Sequence, residues 1–239
     1  MDDTQKLSPH LRPTATRPLL GLTILVVEDS RYSCDAMRLL CLRSGARIRR
    51  ADCLKSARRH LQVYRPSVVV IDLGLPDGSG AELIAELGVA CPRVDVILGT
   101  SGDSFAEEVA LAAGADGFLP KPVSSVVGFQ NAILSALPIE RRPTGPRLVC
   151  DEPVLPDPLA YRDDMAHAAD VLSVARGDER NLTYLTQFLA GVARSAGDGI
   201  LQKAAEDLAD ARAAGQPVTS NLARVSALVQ DRVSDRMAI

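Results

Sequence analysis

Residues 21–138 alternate between short apolar, β-branched runs and amphipathic segments, and this alternation restricts the fold more than any other feature. The five runs are Leu22–Val27, Arg47–Ala51, Val68–Asp72, Val94–Gly99 and Gly117–Leu119. The amphipathic segments are Arg31–Ser44, Leu54–Tyr64, Gly80–Leu87, Ser104–Ala113 and Ser124–Leu137. Strands that alternate with helices predict βαβ units. We therefore expect an α/β domain of (βα)5 type, whose doubly wound, parallel five-stranded sheet is covered by helices on both faces.

The remainder of the chain follows a different pattern and predicts a second domain. Residues 139–158 contain five prolines, which predict a semi-rigid linker. Residues 159–239 show only helical periodicity, interrupted by glycine near positions 197 and 215, and predict a small all-α helical bundle. Residues 1–20 are interpreted as a flexible leader, which leaves 21–138 as the α/β domain.

Composition favours a cytoplasmic protein without a membrane span. The formal net charge is −3, so no global basic field attracts nucleic acid or anionic lipid. No apolar run approaches the roughly 20 residues that a membrane-spanning helix needs. The five cysteines are odd in number and include no CxxC pair, which is typical of reduced thiols rather than of a disulfide framework.

Polar residues follow the predicted strands where each strand ends. Glu28 and Asp29 follow the first strand, Asp72 ends the third, and Lys121 follows the fifth. The carboxyl ends of parallel strands meet at one edge of the sheet, so these side chains are expected to share a crevice. Three carboxylates in one place repel each other unless a cation is present. Hard oxygen ligands of this kind predict Mg²⁺.

Such a site suits phosphoryl transfer, in which a protein mainly positions groups and neutralises charge. One carboxylate would act as the nucleophile and form an acyl phosphate. Asp72 is the candidate, because it ends the central strand and opens the loop that runs to Gly80. Lys121 would supply a second positive charge for the incoming anion.

Four sequence strings carry a family resemblance. They are ILVVEDS, VVVIDLGLPDGSG, VILGTSGD and AGADGFLPKP. Together they resemble the signatures of the response-regulator receiver domain of two-component systems, a flavodoxin-like fold, and the similarity covers about half of the chain. The resemblance implies a phosphoacceptor signalling protein that catalyses only its own phosphorylation and dephosphorylation, not an enzyme acting on other substrates. Its partner would be a histidine kinase or a histidine-phosphotransfer protein that donates from phosphohistidine to Asp72.

The resemblance also implies a role for each site residue. Asp29 and Asp72 would bind Mg²⁺ directly, Glu28 would bind it through water, and the backbone carbonyl of Gly74 would complete the protein ligands. Lys121 would contact the phosphoryl oxygens and precede a cis peptide bond. Thr100 would hydrogen-bond the phosphoryl group, and Phe118 would turn inward on activation. Because the stretch 100–114 is about one residue shorter than is common in this family, Ser101 remains the alternative switch hydroxyl.

The helical half is acidic and shows a second resemblance. Residues 151–239 contain nine Lys and Arg against fourteen Asp and Glu, a net charge of −5, which disfavours DNA binding. The stretch 187–193 is similar to the central helix of histidine-phosphotransfer domains. Leu189, Gly191 and Ala193 fit that motif, but Gln187 replaces the phosphorylated histidine and Ala190 the lysine. The resemblance implies a degenerate phosphotransfer fold.

Three functional hypotheses follow from these observations. The first is a response regulator whose helical domain signals through protein–protein contacts, by clasping its own receiver, by forming a homodimer or by contacting another signalling protein. The second is a transcriptional regulator with an atypical DNA-binding output. The third is a phosphorelay intermediate that passes phosphate from Asp72 to His167, the sole histidine of the helical half.

Overall fold

The structure is a computed structural model that describes residues 12–103, 105–143, 145–148, 152–174 and 179–234. Residues 1–11 of the predicted leader and Cys150 lie outside these ranges. Within them the chain forms an α/β domain followed by a helical bundle, as the sequence predicts.

The α/β domain is built on a five-stranded parallel sheet. The strands of this sheet are β1 (Thr23–Val27), β2 (Arg47–Ala51), β3 (Val68–Asp72), β6 (Val96–Ser101) and β7 (Gly117–Pro120). Between β3 and β6 in the chain, β4 (Gly74–Leu75) and β5 (Gly78–Ser79) form a separate two-residue antiparallel hairpin. The order in the main sheet is β2-β1-β3-β6-β7, and every pair in it is parallel. This order is that of flavodoxin-like doubly wound sheets, which confirms the predicted fold class.

Helices cover both faces of the sheet. They are α1 (Arg31–Ser44), α2 (Leu54–Val63), α3 (Gly80–Gly88), α4 (Ala106–Ala112) and α5 (Val126–Ala136). Alternate residues of β3 enter two separate cores: Val68 and Val70 pack with α1 and α5, whereas Val69 and Ile71 pack with α2 and α3. Burial on both faces explains why the central strands read as continuous apolar runs.

The fourth strand of the main sheet differs from its prediction of Val94–Gly99. Val94 is buried, but the ladder begins at Val96 and continues to Ser101. The extension occurs because Thr100 and Ser101 pair with the last residues of β7. The helix predicted at Ser104–Ala113 is shortened to α4, and Ser104 lies outside the described residues. The other element bounds of this domain lie within two residues of the prediction.

The C-terminal half is a four-helix bundle. Its helices are α6 (Pro158–Val174), α7 (Glu179–Ala196), α8 (Gly199–Ala213) and α9 (Thr219–Ser234). Each helix packs on two others, α6 on α7 and α9, and α8 on α7 and α9, so the bundle closes on itself. Leu185, Leu189, Leu201 and Val225 are fully buried in its core. The helical spacing of leucine and valine therefore predicted the core correctly.

Segments that the sequence assigned to the leader and linker pack on the α/β domain. Leu19 is fully buried in the core, and its amide donates to the Ser44 carbonyl at 3.0 Å, so its placement in a flexible leader was wrong. In the linker, a 3₁₀ turn covers Ile139–Arg141 and Val154 is buried. The proline-rich sequence prevents a continuous helix but still allows extended segments to pack.

None of the helices in the part of the chain that the structure describes is both long and apolar enough to cross a membrane.

Candidate functional site

Three strand ends bring the acidic residues and the lysine together. Glu28 and Asp29 follow β1, Asp72 is the last residue of β3, and one carboxylate oxygen of each lies within 4.8 Å of the others. Lys121 follows β7 and reaches across the edge of the sheet to the same place. The rule that parallel strand ends converge therefore located the cluster from sequence.

The Lys121 ammonium joins two of the three carboxylates. Its Nζ lies 2.7 Å from Asp72 Oδ2 and 2.6 Å from Glu28 Oε2, and its side chain is 8% exposed. Burial alone would lower the pKa of Lys121, but the charges of Asp72 and Glu28 outweigh burial and raise that pKa above its usual value. Lys121 is therefore a permanent cation beside Asp72.

Glu28 and Asp29 are held in an environment that disfavours their charged forms. Burial raises the pKa of Glu28 well above its usual value, and Asp72 and Asp29 raise it further against the opposing effect of Lys121. Burial likewise raises the pKa of Asp29 to about 6, although a hydrogen bond from Tyr184 opposes the rise. One ammonium does not balance three acids, so the cluster gains from an additional cation.

The donor set fits a hard divalent ion. All three side chains offer carboxylate oxygens, which such ions prefer. Gly74, whose carbonyl the sequence predicts as a further ligand, lies in β4 beside the cluster. Its amide donates to Asp72 Oδ1 at 3.3 Å. That contact fixes the loop against the carboxylate and leaves the role of the Gly74 carbonyl as a prediction.

The two candidate switch hydroxyls lie on adjacent residues of β6. Thr100 is paired with Asp72 in the sheet register, is fully buried, and donates from Oγ1 to the Leu119 carbonyl at 2.7 Å. Ser101 is half-buried and lines the crevice above the cluster, where its Oγ accepts from the Asp103 amide at 3.2 Å. Contact with a phosphoryl group remains a prediction for both residues.

Phe118 lies on β7 and is partly buried against the core formed with α2, α3 and α4. Its ring passes close to Gly99, where an added Cβ would lie 3.2 Å from Phe118 Cδ2. The Lys121–Pro122 peptide bond is cis, as the family resemblance implied.

The loop after Asp72 depends on Gly80. A Cβ at this position would lie 1.9 Å from the Asp72 carbonyl oxygen, so only glycine fits where α3 begins against the end of β3. Asp77 in the same loop accepts from the amides of Leu54 and Lys55 at 2.8 and 2.9 Å. It therefore ties the loop to the start of α2.

Residues of the helical bundle complete the site, and one of them, Tyr184, was missed by sequence reasoning. The Tyr184 hydroxyl donates to Asp29 Oδ2 at 2.5 Å. Gln187, three residues further along α7, has its Oε1 3.8 Å from where a Cβ on Gly74 would lie. The likeness of residues 187–193 to a phosphotransfer helix was the only signal for this contact, since Tyr184 shares a helix face with Gln187.

A crevice of about 680 Å³ separates the two halves above Asp72. Its walls come from the ends of β1, β3 and β6 on one side and from α7 and α8 on the other. Burial and the nearby Asp29 carboxylate raise the pKa of Tyr184 above its usual value, so Tyr184 stays a neutral donor.

Comparisons with known proteins find a matching domain family and several relatives. The family model described as the response regulator receiver domain matches residues 24–130. The KDP operon transcriptional regulatory protein KdpE of Escherichia coli K12 is 28% identical over 75% of this chain and 76% of its own. The probable transcriptional regulatory protein TcrX of Mycobacterium tuberculosis is 32% identical over 56% of this chain and 58% of its own. The transcriptional regulatory protein PhoP of Escherichia coli O157:H7 is 29% identical over 47% of this chain.

The chain spans only about half the length of two of these relatives, 58% of TcrX and 52% of PhoP. Among solved structures, a response regulator from Chloroflexus aurantiacus matches 48% of this chain and 98% of its own, with 25% identity and a TM-score of 0.44. A receiver domain of a histidine kinase from Syntrophus aciditrophicus matches 52% of this chain and 96% of its own, with 22% identity and a TM-score of 0.45.

Proposed function

Because residues 24–130 of this chain form a response regulator receiver domain, we propose that Asp72 accepts a phosphoryl group in a two-component system. The observation that carries the proposal is the cluster of Glu28, Asp29 and Asp72 carboxylates, with the Lys121 ammonium 2.7 Å from Asp72. This arrangement leaves a carboxylate with a fixed cation at its side, as phosphoryl transfer to an acid requires.

The proposed donor is a phosphohistidine on a histidine kinase or a histidine-phosphotransfer protein. An Asp72 carboxylate oxygen attacks phosphorus, the phosphorus–nitrogen bond breaks, and the donor histidine leaves with the electron pair of that bond and is protonated. The product is an aspartyl phosphate. Lys121 stays charged throughout and pairs with the oxygens of the transferred group. Apart from its own phosphorylation and dephosphorylation, the chain catalyses no reaction in this proposal.

Mg²⁺ is the proposed metal, and it would neutralise charge on the transferring group. Asp29 and Asp72 would hold it directly, Glu28 through water, and Gly74 through its carbonyl. Thr100 is the residue whose hydroxyl is proposed to bond the phosphoryl group. Phe118 is the aromatic side chain that is proposed to turn inward on activation. The sheet register supports Thr100 over Ser101, because it places Thr100 directly beside Asp72.

The proposed output is protein–protein contact through the bundle of α6–α9, in the cytoplasm. The net charge of −5 over residues 151–239, which include the bundle, supports this choice. So does the position of Gln187, which lies beside the phosphorylation loop where the resemblance puts a phosphotransfer histidine. A glutamine amide cannot form a phosphoramidate, so the bundle would keep a docking face for receivers without passing phosphate on.

Incubation with acetyl phosphate and Mg²⁺, followed by intact mass spectrometry, tests the phosphoacceptor proposal. The wild type is expected to gain one phosphoryl group and Asp72→Asn none. Asp103→Asn is the matched control, because Asp103 is an exposed acid in the same crevice. Equal labelling of wild type and Asp72→Asn would refute the proposal.

Transcriptional regulation is the second candidate, favoured by the similarity to KdpE, TcrX and PhoP, which are named as transcriptional regulatory proteins. A gel shift with promoter DNA at low ionic strength, repeated with added salt, tests it. Binding that weakens steeply with salt would show phosphate contacts and support this candidate. No shift at low salt would leave protein contact as the output.

A further inference from the structure

Two residues of α7 face the phosphorylation site from the helical bundle. Tyr184 donates to Asp29 Oδ2 at 2.5 Å, and Gln187 approaches Gly74 one turn further along the helix. His167 of α6 lies behind Tyr184, with Nε2 3.3 Å from the Tyr184 hydroxyl, and Phe188 packs near both rings. The phenol is therefore held in place by the bundle while its hydroxyl engages a proposed metal ligand.

A second contact joins α6 to the start of α1. Asp164 is 1% exposed, and its carboxylate accepts from the Ser30 hydroxyl at 2.7 Å and from the Arg31 and Tyr32 amides at 2.7 and 3.1 Å. Amides in the first turn of a helix have no partner within that helix. Asp164 supplies the partner from the other half of the chain, so the two halves share a buried, charge-assisted set of hydrogen bonds.

A third contact closes the far side of the crevice. The Arg194 guanidinium donates to the Gly102 carbonyl at the end of β6 and also pairs with Glu206 of α8 at 3.1 Å. The bundle thus contacts the receiver after β1, at α1 and after β6, on three sides of Asp72.

From these contacts we propose that the helical bundle caps this chain's own phosphorylation site, and that Tyr184 competes with Mg²⁺ for Asp29. The inference rests on the function proposed above and adds an intramolecular occupant to that site. The phenol donates to the Asp29 carboxylate, which is also a proposed metal ligand, so a cation that draws charge from this carboxylate weakens the hydrogen bond. A small phosphodonor fits the crevice of about 680 Å³, whereas a protein donor must first displace α7.

Calorimetric titration of the full chain with Mg²⁺ tests the competition. Tyr184→Phe keeps the ring and removes the hydroxyl, and it is expected to bind Mg²⁺ about tenfold more tightly, the effect of one hydrogen bond to a charged group. Tyr161→Phe is the matched control, because Tyr161 donates a 2.7 Å hydrogen bond to Asp198 in the same bundle, and Asp198 is not part of the acidic cluster. Its Mg²⁺ affinity should equal that of the wild type.

Hydrogen exchange gives a second readout that does not depend on that variant. Mg²⁺ with beryllofluoride, a phosphoryl mimic, is expected to speed exchange of the Arg31 and Tyr32 amides at least severalfold, because Asp164 leaves them. Asp164→Asn should show faster exchange before any addition. The capping proposal would be refuted if Tyr184→Phe bound Mg²⁺ with unchanged affinity. It would also be refuted if the mimic left hydrogen exchange of the Arg31 and Tyr32 amides unchanged.

The two proposals fail separately. Neither calorimetry nor hydrogen exchange requires phosphoryl transfer. A chain that acetyl phosphate labels on Asp72 but that shows neither effect refutes only the cap. A chain that shows both effects but is never labelled on Asp72 refutes only the phosphoacceptor function.

Discussion

Tyr184 of the helical bundle donates a 2.5 Å hydrogen bond to Asp29 of the receiver, 155 residues away in the chain. A carboxylate oxygen of Asp29 lies within 4.8 Å of a carboxylate oxygen of Asp72. The Tyr184 hydrogen bond therefore reaches the acidic cluster. The charge balance of that cluster determines both the stability of the apo protein and its affinity for a cation.

Replacing Lys121 with methionine is expected to destabilise the protein. The substitution leaves Glu28 and Asp72 buried without their ammonium, and loss of one partner from a buried pair costs about 3–5 kcal/mol. Urea denaturation in metal-free buffer measures the loss, and added Mg²⁺ should restore part of it. Lys203→Met is the control, since Lys203 pairs with Asp207 on the surface and its removal should leave the midpoint unchanged. Equal effects of the two variants would contradict the arrangement.

The raised pKa of Asp29, about 6, predicts the pH dependence of metal-free stability. Folded protein holds the Asp29 proton more tightly than the unfolded chain, so the free energy of unfolding falls as pH rises from about 4 to about 6. Because the side chain at this position stays neutral in Asp29→Asn, the free energy of unfolding of this variant should fall less with rising pH than that of the wild type. The titration of Glu28 accounts for the fall that remains. This variant should be more stable than the wild type near neutral pH.

Asp198 provides a control of opposite sign for that prediction. Its pKa is lowered to about 2, chiefly by a hydrogen bond from Arg232, so its stabilising effect is present at neutral pH and is lost on acidification. Asp198→Asn should therefore be less stable than the wild type near neutral pH. Urea unfolding at several pH values measures both variants, and a destabilised Asp29→Asn would contradict the prediction.

Gly80→Ala is expected to disrupt the loop that follows Asp72. The new Cβ would lie 1.9 Å from the Asp72 carbonyl oxygen, and relief requires a backbone shift that costs several kcal/mol and moves the carboxylate. Gly191→Ala on α7 is the matched control, because no atom lies within 4 Å of its added Cβ. It should stabilise the protein by about 0.5–1 kcal/mol. Thermal unfolding of both variants measures the contrast, and similar shifts in Tm would be inconsistent with the packing at Gly80.

The switch hydroxyl can be identified by comparing Thr100→Val with Ser101→Ala. Beryllofluoride with Mg²⁺ is expected to shift the backbone NMR resonance of Phe118 in the wild type and in Ser101→Ala. Thr100→Val should abolish the shift, because Thr100 is the residue in register with Asp72. The reverse pattern would show that Ser101 is the switch.

The receiver half was predictable because its signals are local. Two-sided burial makes β1 and β3 continuous apolar runs, and the strand-end rule then placed Asp29, Asp72 and Lys121 together. Predicted bounds differed from the structure where tertiary pairing sets the end of an element, as at Ser101 in β6. Clasping of the receiver was one of the hypotheses from sequence, but the residues that make the contact were not predictable, because the Tyr184–Asp29 and Asp164–Ser30 pairs lie more than 130 positions apart. No periodicity encodes such a contact.

Locating the phosphoryl group by tandem mass spectrometry, after labelling with acetyl phosphate and Mg²⁺, tests whether Asp72 is the phosphoacceptor. One modified peptide is expected, with the group on Asp72. Label on His167, or no label under conditions in which other receiver domains react, would contradict it.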